Sequence, residues 1–189
     1  MAQKRKDWNG LISGFKASDL VFLDESGCNT DMTRRYAYSL GGSRAVDSAP
    51  LSKPKNTTIL SSIQLDGTLR YTTFSGGTTV ERFKRYLETD LLPHLNGNSV
   101  LIMDNMKSNH AKAVRNLLDS SGVRYIYLPP YSPDLNPIEK LWSKVKAFLR
   151  KFKARTLDAL PNAIQCAFQT VSPSDCSGWF HSCGYSPYF

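Results

Sequence analysis

Two aspartates follow short apolar segments, where a charged carboxylate is costly to keep. Asp24 follows the apolar run 20–23, and Asp104 follows the run 99–103. A carboxylate at the end of an apolar strand must be paired, protonated or bound to a cation. If the two segments are neighbouring parallel strands, their ends lie about 5 Å apart and the two carboxylates meet. Two like charges at that distance need a counter-charge, which a divalent metal ion supplies.

A third acid, Glu139, follows the proline-rich segment 128–137 at the start of a periodic basic stretch. With Asn136 as N-cap and Pro137 at the first helical position, Glu139 falls at the third position, as in a capping box. Capping does not account for the rigid "PPYSPDLNP" before the helix, whose prolines reduce the entropy cost of holding one conformation. Two interpretations therefore stay open for Glu139: a helix cap, or a third metal ligand held in place by the prolines.

Hydrophobic periodicity and turn signals predict the elements that would position these acids. Strands are predicted over 19–25, 98–105 and 123–128, and a hairpin over 56–74 with its turn at Asp66–Gly67. Helices are predicted over Thr78–Leu92, Asn109–Ser121, Pro137–Phe152 and Arg155–Phe168, and the tail 172–189 is turn-rich. Alternating strands and helices with one hairpin predict an α/β fold, a mixed sheet with helices packed on its faces.

Composition narrows the class of protein. The chain has 189 residues, of which 41% are hydrophobic, and this suits one compact domain with a sizeable core. No apolar run reaches the roughly 18 residues that a membrane helix needs. The basic N-terminus lacks the apolar region of a secretory signal, so we expect a cytoplasmic protein. The four cysteines fit free thiols in a reducing compartment.

The net charge of +8 favours a polyanionic partner, most often nucleic acid. Seven basic residues and no acidic one lie between Lys140 and Arg155. On a helix, Lys140, Lys144 and Lys151 share one face, and we expect them to contact phosphates, although a solvated face is the alternative. Arg34 and Arg35, in the irregular segment 26–55, could contact DNA or a second subunit.

Three motifs resemble the catalytic core of DDE transposases, in the bacterial insertion-sequence family related to the mariner superfamily. They are "FLDESG", "LIMDN" and "LPPYSPDLNPIEKLWSKVK", and 34 residues separate Asp104 from Glu139, a spacing characteristic of that superfamily. The "YSPDLNPIE" motif is highly specific. The resemblance runs from about residue 19 to 185.

This resemblance implies a ribonuclease H-like fold, a five-stranded mixed sheet with helices on both faces. It implies two Mg²⁺ or Mn²⁺ ions, with Asp24 bridging both, Asp104 on one and Glu139 on the other. It further implies cleavage of double-stranded DNA at the terminal inverted repeats of a transposon, with transfer of the 3′-hydroxyl ends to target DNA. The target site that the resemblance implies is a TA dinucleotide. A homodimer assembled on DNA and a prokaryotic, nucleoid-associated location follow from the same resemblance.

The chain departs from its relatives near the second aspartate and before the first. Relatives usually carry a histidine five positions after that aspartate, where this chain has Asn109 followed by His110. They also usually begin with helix-turn-helix modules, so we expect residues 1–18 to be a basic leader or linker and 19–189 the catalytic domain. On that expectation the chain is a catalytic fragment or the second half of a split reading frame.

Supporting roles around the three acids are expected for Asn105, Glu25 and His110. Asn105 could orient substrate or water, although a turn role is as good an interpretation. Two other functions stay open: a ribonuclease H-like nuclease with another nucleic-acid substrate, and a non-enzymatic DNA-binding module derived from a transposase.

Overall fold

A computed structural model describes residues 2–34, 36–48, 50, 54–106 and 108–185. The strands are β1 (Leu20–Cys28), β2 (Thr57–Gln64), β3 (Leu69–Ser75), β4 (Val100–Met103) and β5 (Arg124–Tyr127). The helices are α1 (Ala2–Ile12), α2 (Val80–Tyr86), α3 (Lys112–Ser121), α4 (Ile138–Phe152), α5 (Ala159–Gln169) and α6 (Pro173–Ser182). No helix among these residues is both long enough and apolar enough to cross a membrane.

The five strands form one mixed sheet in the order β3-β2-β1-β4-β5. The pairs β1–β2 and β2–β3 are antiparallel, whereas β1–β4 and β4–β5 are parallel. This arrangement confirms the predicted five-stranded mixed sheet.

Alternating side chains of the central strands build two cores, because successive residues of a strand point to opposite faces. Leu20 and Phe22 of β1 join the core that holds Trp8 of α1 and the buried sides of α4, α5 and α6. Val21 and Leu23 join the core formed with α2 and α3. Helices therefore cover both faces of the sheet, as predicted.

Three helix ends carry residue types that commonly start or stop a helix. Thr79 caps α2 by accepting from the amide of Arg82 (3.3 Å), and Gly122 ends α3 at φ +71°. Thr156 accepts from the amide of Ala159 (3.2 Å) at the start of α5. Beyond α2 the chain continues as a π-helical turn over Leu87–Leu91 and a 3₁₀ turn over Leu92–His94.

The hairpin turn at Asp66–Gly67 is confirmed, and it also contacts the C-terminal part of the chain. Gly67 has φ +90°, a backbone conformation that favours glycine. A Cβ atom there would lie 2.9 Å from the Cα of Pro173. Glycine is therefore required both by the turn and by the close approach of α6.

The prediction of a turn-rich tail is wrong for its first part, which forms α6. Ser172 and Asp175 make a capping box, and Pro173 occupies the first turn. Cys176 and Phe180, four residues apart, are fully buried. The many Ser, Pro and Gly residues of this segment hide a helix whose starting signal is in fact complete.

Residues 1–18 and Phe152 have surroundings that differ from those that the sequence predicts. Residues 1–18 contain α1, and the buried Trp8 donates from its indole to the Tyr185 hydroxyl (3.3 Å). The boundary between a leader and a catalytic domain at 18/19 stays a prediction. The apolar period of the predicted helix Pro137–Phe152 places Phe152 on its buried face. In the structure Phe152 is 45% exposed and is the last residue of α4.

Candidate active site

Asp24 lies within β1 and Asp104 directly after β4, at the point where the parallel pairing of these two strands stops. In the pairing of β1 with β4, Leu23 is opposite Met103, so each aspartate follows directly on a paired residue. Side-chain alternation places Asp24 on the face of Leu20 and Phe22, toward α4. The two aspartates therefore follow opposing residues of neighbouring parallel strands, as predicted. The prediction that both aspartates end a strand is wrong for Asp24, because β1 continues to Cys28 through its pairing with β2.

The Asp24 carboxylate is largely buried and held by two donors. The backbone amide of Glu25 donates to Oδ1 (2.7 Å), and the indole Nε1 of Trp142 on α4 donates to Oδ2 (3.1 Å). Burial raises the pKa of Asp24 to about 7; the two donors oppose this rise, whereas the charges of Asp104 and Glu139 add to it. The charges of both other acids thus act on the Asp24 carboxylate.

The Asp104 carboxylate is half-buried, and its Oδ1 accepts two hydrogen bonds from described residues. The Nδ2 of Asn109 donates at 2.7 Å, and the backbone amide of Met106 donates at 3.1 Å. Burial raises the pKa of Asp104, while the Met106 amide, His110 and Asn109 lower it. Asn109 is itself buried, so its amide is fixed in position.

Glu139 stands in the first turn of α4 with an exposed side chain. The capping-box interpretation is wrong, because the amide of Asn136 donates to the Pro133 carbonyl (3.1 Å) and α4 begins without a side-chain cap. Among the described residues, the Glu139 carboxylate has no recorded hydrogen-bond or salt-bridge partner, so it can turn toward the aspartates without breaking a protein contact.

The proline-rich segment is anchored at its start, directly after β5. The amide of Leu128 donates to the Met103 carbonyl (2.8 Å), and the Asn105 side chain donates to the Leu128 carbonyl. The backbone turns sharply at Tyr131, at φ 55°, before a 3₁₀ turn over Pro133–Leu135. This path brings the first turn of α4, and with it Glu139, to the cavity that Asp24 and Asp104 line.

The three acids line one cavity of about 430 Å³. Its other lining residues are Asn105, Met106, Asn136 and the segment 128–133. Among the described residues, the buried Oδ1 atom of Asn136 has no hydrogen-bond partner, although Asn136 is only 4% exposed. A buried acceptor without a partner at the wall of an acidic cavity calls for a donor or a cation inside it.

Three carboxylates and a free amide oxygen are the hard oxygen ligands that Mg²⁺ and Mn²⁺ prefer, so the donor set fits such ions. In the part of the chain that the structure describes, however, no three His, Cys, Asp or Glu side chains are already gathered closely enough to hold a metal. Asp24 and Asp104 are instead fixed by protein donors. Binding would therefore require the acids to close on the ion, above all the unrestrained Glu139.

The residues expected to support the acids differ in position. Asn105 lines the cavity, and His110 reaches it only through Asn105, with 3.3 Å between Nε2 and Oδ1. The His110 ring also stacks on Tyr127 at 4.0 Å. Glu25 follows Asp24 on β1 and therefore points to the opposite face of the sheet.

The basic residues expected to contact DNA are also spread out. Lys144 makes a salt bridge with Asp175 of α6 (2.6 Å), while Lys140 and Lys151 are exposed. Arg34 is exposed beside Tyr36, and Arg35 lies outside the described residues. Contacts of these residues with DNA stay a prediction.

Trp142 and Asn109 are the site residues that sequence reasoning missed. Trp142 is three positions after Glu139 on the same helix, a spacing that places both near one side of it. Asn109 stands where relatives carry histidine, and that substitution was the signal of a position close to Asp104.

A family model described as DDE superfamily endonuclease matches residues 19–161. No curated protein matches the sequence. Among solved structures, a pre-cleavage Mos1 transpososome is similar with a TM-score of 0.81 and 19% identity, over 96% of this chain and 58% of that one.

A Mos1 paired-end complex with Mn is similar with a TM-score of 0.74 and 20% identity, over 94% of this chain and 57% of that one. The Mos1 catalytic domain with Raltegravir and Mg has a TM-score of 0.71 and 17% identity, over 94% and 86% of the two chains. This chain thus spans less than two thirds of the Mos1 chains in the transpososome and the paired-end complex. The likeness identifies the fold as ribonuclease H-like, and the family match covers most of the sequence: the chain belongs to the DDE superfamily endonucleases.

Proposed function

We propose that this chain is the catalytic domain of a transposase, which cuts phosphodiester bonds at transposon ends and joins the 3′-hydroxyl ends to target DNA. The observation that carries the proposal is that Asp24, Asp104 and Glu139 line one cavity, at the point where the parallel pairing of β1 with β4 stops. Family membership supports it. The similar structures include a paired-end complex with a transposon end and a strand transfer complex, which supports DNA as the substrate.

We further propose that the three acids hold two Mg²⁺ or Mn²⁺ ions, with Asp24 shared between them. Bound there, the ions would activate a water or a 3′-hydroxyl and stabilise the leaving oxygen. The Mos1 structures with Mg and with Mn support this choice of ion. The unpartnered Asn136 oxygen in the same cavity supports it independently.

The protein groups around the acids would then act by positioning. Trp142 and the Glu25 amide hold the Asp24 carboxylate from two sides, and Asn109 holds Asp104. Phosphoryl transfer depends on alignment and charge stabilisation more than on a covalent nucleophile, so fixed ligands are what this chemistry requires. The proline-rich wall keeps the substrate side of the cavity in one shape.

On DNA, we propose that two copies act together as a homodimer at the terminal inverted repeats, with TA as the target. The paired-end complexes of Mos1 support a paired arrangement, and the basic charge of the chain supports DNA binding.

The test is a cleavage and joining assay with Mn²⁺ on DNA that carries the terminal repeats flanking the gene. Glu139→Gln keeps the side-chain size and removes the charge, so both reactions should fall by about 100-fold or more, a loss of several kcal/mol of transition-state stabilisation. Glu81→Gln, an exposed position on α2, is the matched control and should retain activity.

The same assay separates the other two candidate functions. Cleavage without joining would favour a nuclease with another substrate. DNA binding without cleavage or joining by the wild type, together with no Mn²⁺ binding, would leave only a DNA-binding module.

A further inference from the structure

A second cavity, of about 310 Å³, lies beside α4 away from the three acids. Lys146 and Arg150 line it from the helix, and the strand end and turn 27–33 line it from the other side. Neither cation has a recorded hydrogen bond or salt bridge within the described part of the chain. Asp31 also lines the cavity, so it holds two positive charges against one negative charge.

The two cations stand in line with the proposed catalytic glutamate. From Glu139, Lys146 is seven residues and Arg150 eleven residues further along α4, which is close to two and three full turns. All three therefore lie on one side of the helix. The rise places Lys146 about 10 Å and Arg150 about 16 Å from the level of Glu139.

The basic row continues past α4. Arg34 and Tyr36 share the next cavity, of about 430 Å³, with Arg150. By contrast, Lys140, Lys144 and Lys151 lie about a third of a turn around the helix from Glu139. Lys144 is on the side of α6, where it pairs with Asp175. The basic residues in line with Glu139 are therefore Lys146 and Arg150, and not the row Lys140, Lys144 and Lys151 that the sequence predicts for phosphate contacts.

We propose that Lys146 and Arg150 form a phosphate-binding track for the DNA strand that flanks the reacting phosphodiester. The inference rests on the proposed function for the identity of the ligand. Phosphates of one strand of a duplex are spaced about 3.4 Å along its axis. For a duplex running along α4, Lys146 and Arg150 lie level with the phosphates about three and five nucleotides from the one beside Glu139. Arg34 extends the track beyond them.

The first test is the salt dependence of binding, which needs no catalysis. A fluorescein-labelled 20-bp duplex of arbitrary sequence is titrated by anisotropy without divalent metal, over 50–200 mM KCl. Lys146→Gln/Arg150→Gln should lower the slope of log K against log salt by about 1.8, since each phosphate contact contributes about 0.9. The control Arg85→Gln/Arg124→Gln removes the same charge from exposed positions elsewhere and should change the slope little.

Equal slope changes in the two double variants, or no change in either, would overturn the proposal. Matching thermal melts establish that both variants are folded. The two proposals fail separately. If Lys146→Gln/Arg150→Gln lowers the slope as predicted but the wild type does not cleave DNA with Mn²⁺, only the proposed function is removed. Cleavage by the wild type, with no slope change in Lys146→Gln/Arg150→Gln, would remove only the track.

The second test fixes the register. Cys166 is replaced by serine, because it is the one described cysteine that is only partly buried. In this background, the thiol of Glu139→Cys is cross-linked through a disulfide to a duplex that carries a thiol tether on one phosphate. The phosphates three and five nucleotides from the tether are then replaced by neutral methylphosphonates, on either the 5′ or the 3′ side of the tether. The replacement should lower the cross-link yield on one of these two sides only. The asymmetry should vanish when Lys146 and Arg150 are both glutamine. Equal yields on the two sides in the parent variant would contradict the track.

Discussion

Trp142 donates one hydrogen bond to the carboxylate of Asp24, which is one of the three candidate metal ligands. The residue is 3% exposed, and its Nε1 bonds Asp24, which is 118 residues away in the chain. The sequence predicts Asp24 and Asp104 as neighbours because both end apolar strands. It could not predict Trp142 as their partner, because that contact depends on the angle at which α4 packs on β1. The same holds for Asn109 and Asp104, which meet only once the turn after β4 is formed.

At the residue scale, Trp142→Phe tests this hydrogen bond. Phenylalanine keeps most of the buried surface but removes the donor, so the Asp24 carboxylate loses one of its two restraints. Loss of a partner that orients a ligand typically costs 10–100-fold in metal affinity or activity. We expect a loss of about tenfold in Mn²⁺-dependent cleavage at limiting Mn²⁺, with recovery as Mn²⁺ is raised.

Trp179→Phe is the matched control, because the described residues offer its indole nitrogen no recorded partner and it lies on α6. It should leave the metal dependence unchanged. If both variants shifted the Mn²⁺ dependence of cleavage equally, the loss in Trp142→Phe would come from altered packing and not from the lost hydrogen bond to Asp24.

At the scale of elements, sequence patterns were sufficient where one physical signal dominated. The alternation in β2, the Asp66–Gly67 turn and the apolar period of α4 each predicted an element that the structure contains. The start of α3 was placed three residues early, because 109–111 form a turn that carries Asn109 to Asp104. The helix α6 was missed, since its Ser, Pro and Gly content outweighed a capping box and two buried residues four apart.

Asp175 joins the capping box of α6 to α4, and it makes stability depend on pH. The Lys144 ammonium, followed by the amide and hydroxyl of Ser172, lowers the pKa of Asp175 to about 2, from about 3.9 in an unfolded chain. A lowered folded pKa stabilises the fold above about pH 4, and this stability is lost as the pH falls toward 2.

Asp175→Asn should therefore reduce the free energy of unfolding by about 1–2 kcal/mol at pH 7, allowing for partial exposure of the pair. The difference from wild type should shrink as the pH falls from 4 to 2. Urea unfolding at several pH values measures it. A constant difference across that range would show that the charge of Asp175 is not what stabilises the helix.

On the scale of the whole molecule, the two ends of the described chain hold the segment that delivers Glu139. The Tyr185 hydroxyl donates to the Leu135 carbonyl (2.7 Å), and it accepts from the indole of Trp8. Its ring packs on Phe22 of β1 at 5.0 Å. Contacts from α1 and from the residues after α6 thus converge on the proline-rich segment from outside the site.

Tyr185→Phe should release the Leu135 carbonyl and the Trp8 indole while keeping the ring in the core. We expect unfolding to become easier by about 1–2 kcal/mol. Cleavage should fall by a larger factor than stability alone explains, because a looser segment positions Glu139 less well. Thermal melts and cleavage rates well below the melting temperature separate the two effects. Unchanged cleavage in a folded Tyr185→Phe protein would restrict these contacts to stability.

The central claim is that Asp24, Asp104 and Glu139 together bind divalent metal, and a crystal structure of the chain with Mn²⁺ tests it directly. The account predicts anomalous density in the cavity between these acids, at two positions about 4 Å apart, with the Glu139 side chain turned inward. It also predicts that the density disappears in Glu139→Gln/Asp104→Asn. Density bound only outside the cavity, or an empty cavity at millimolar Mn²⁺ with the three carboxylates still apart, would contradict it.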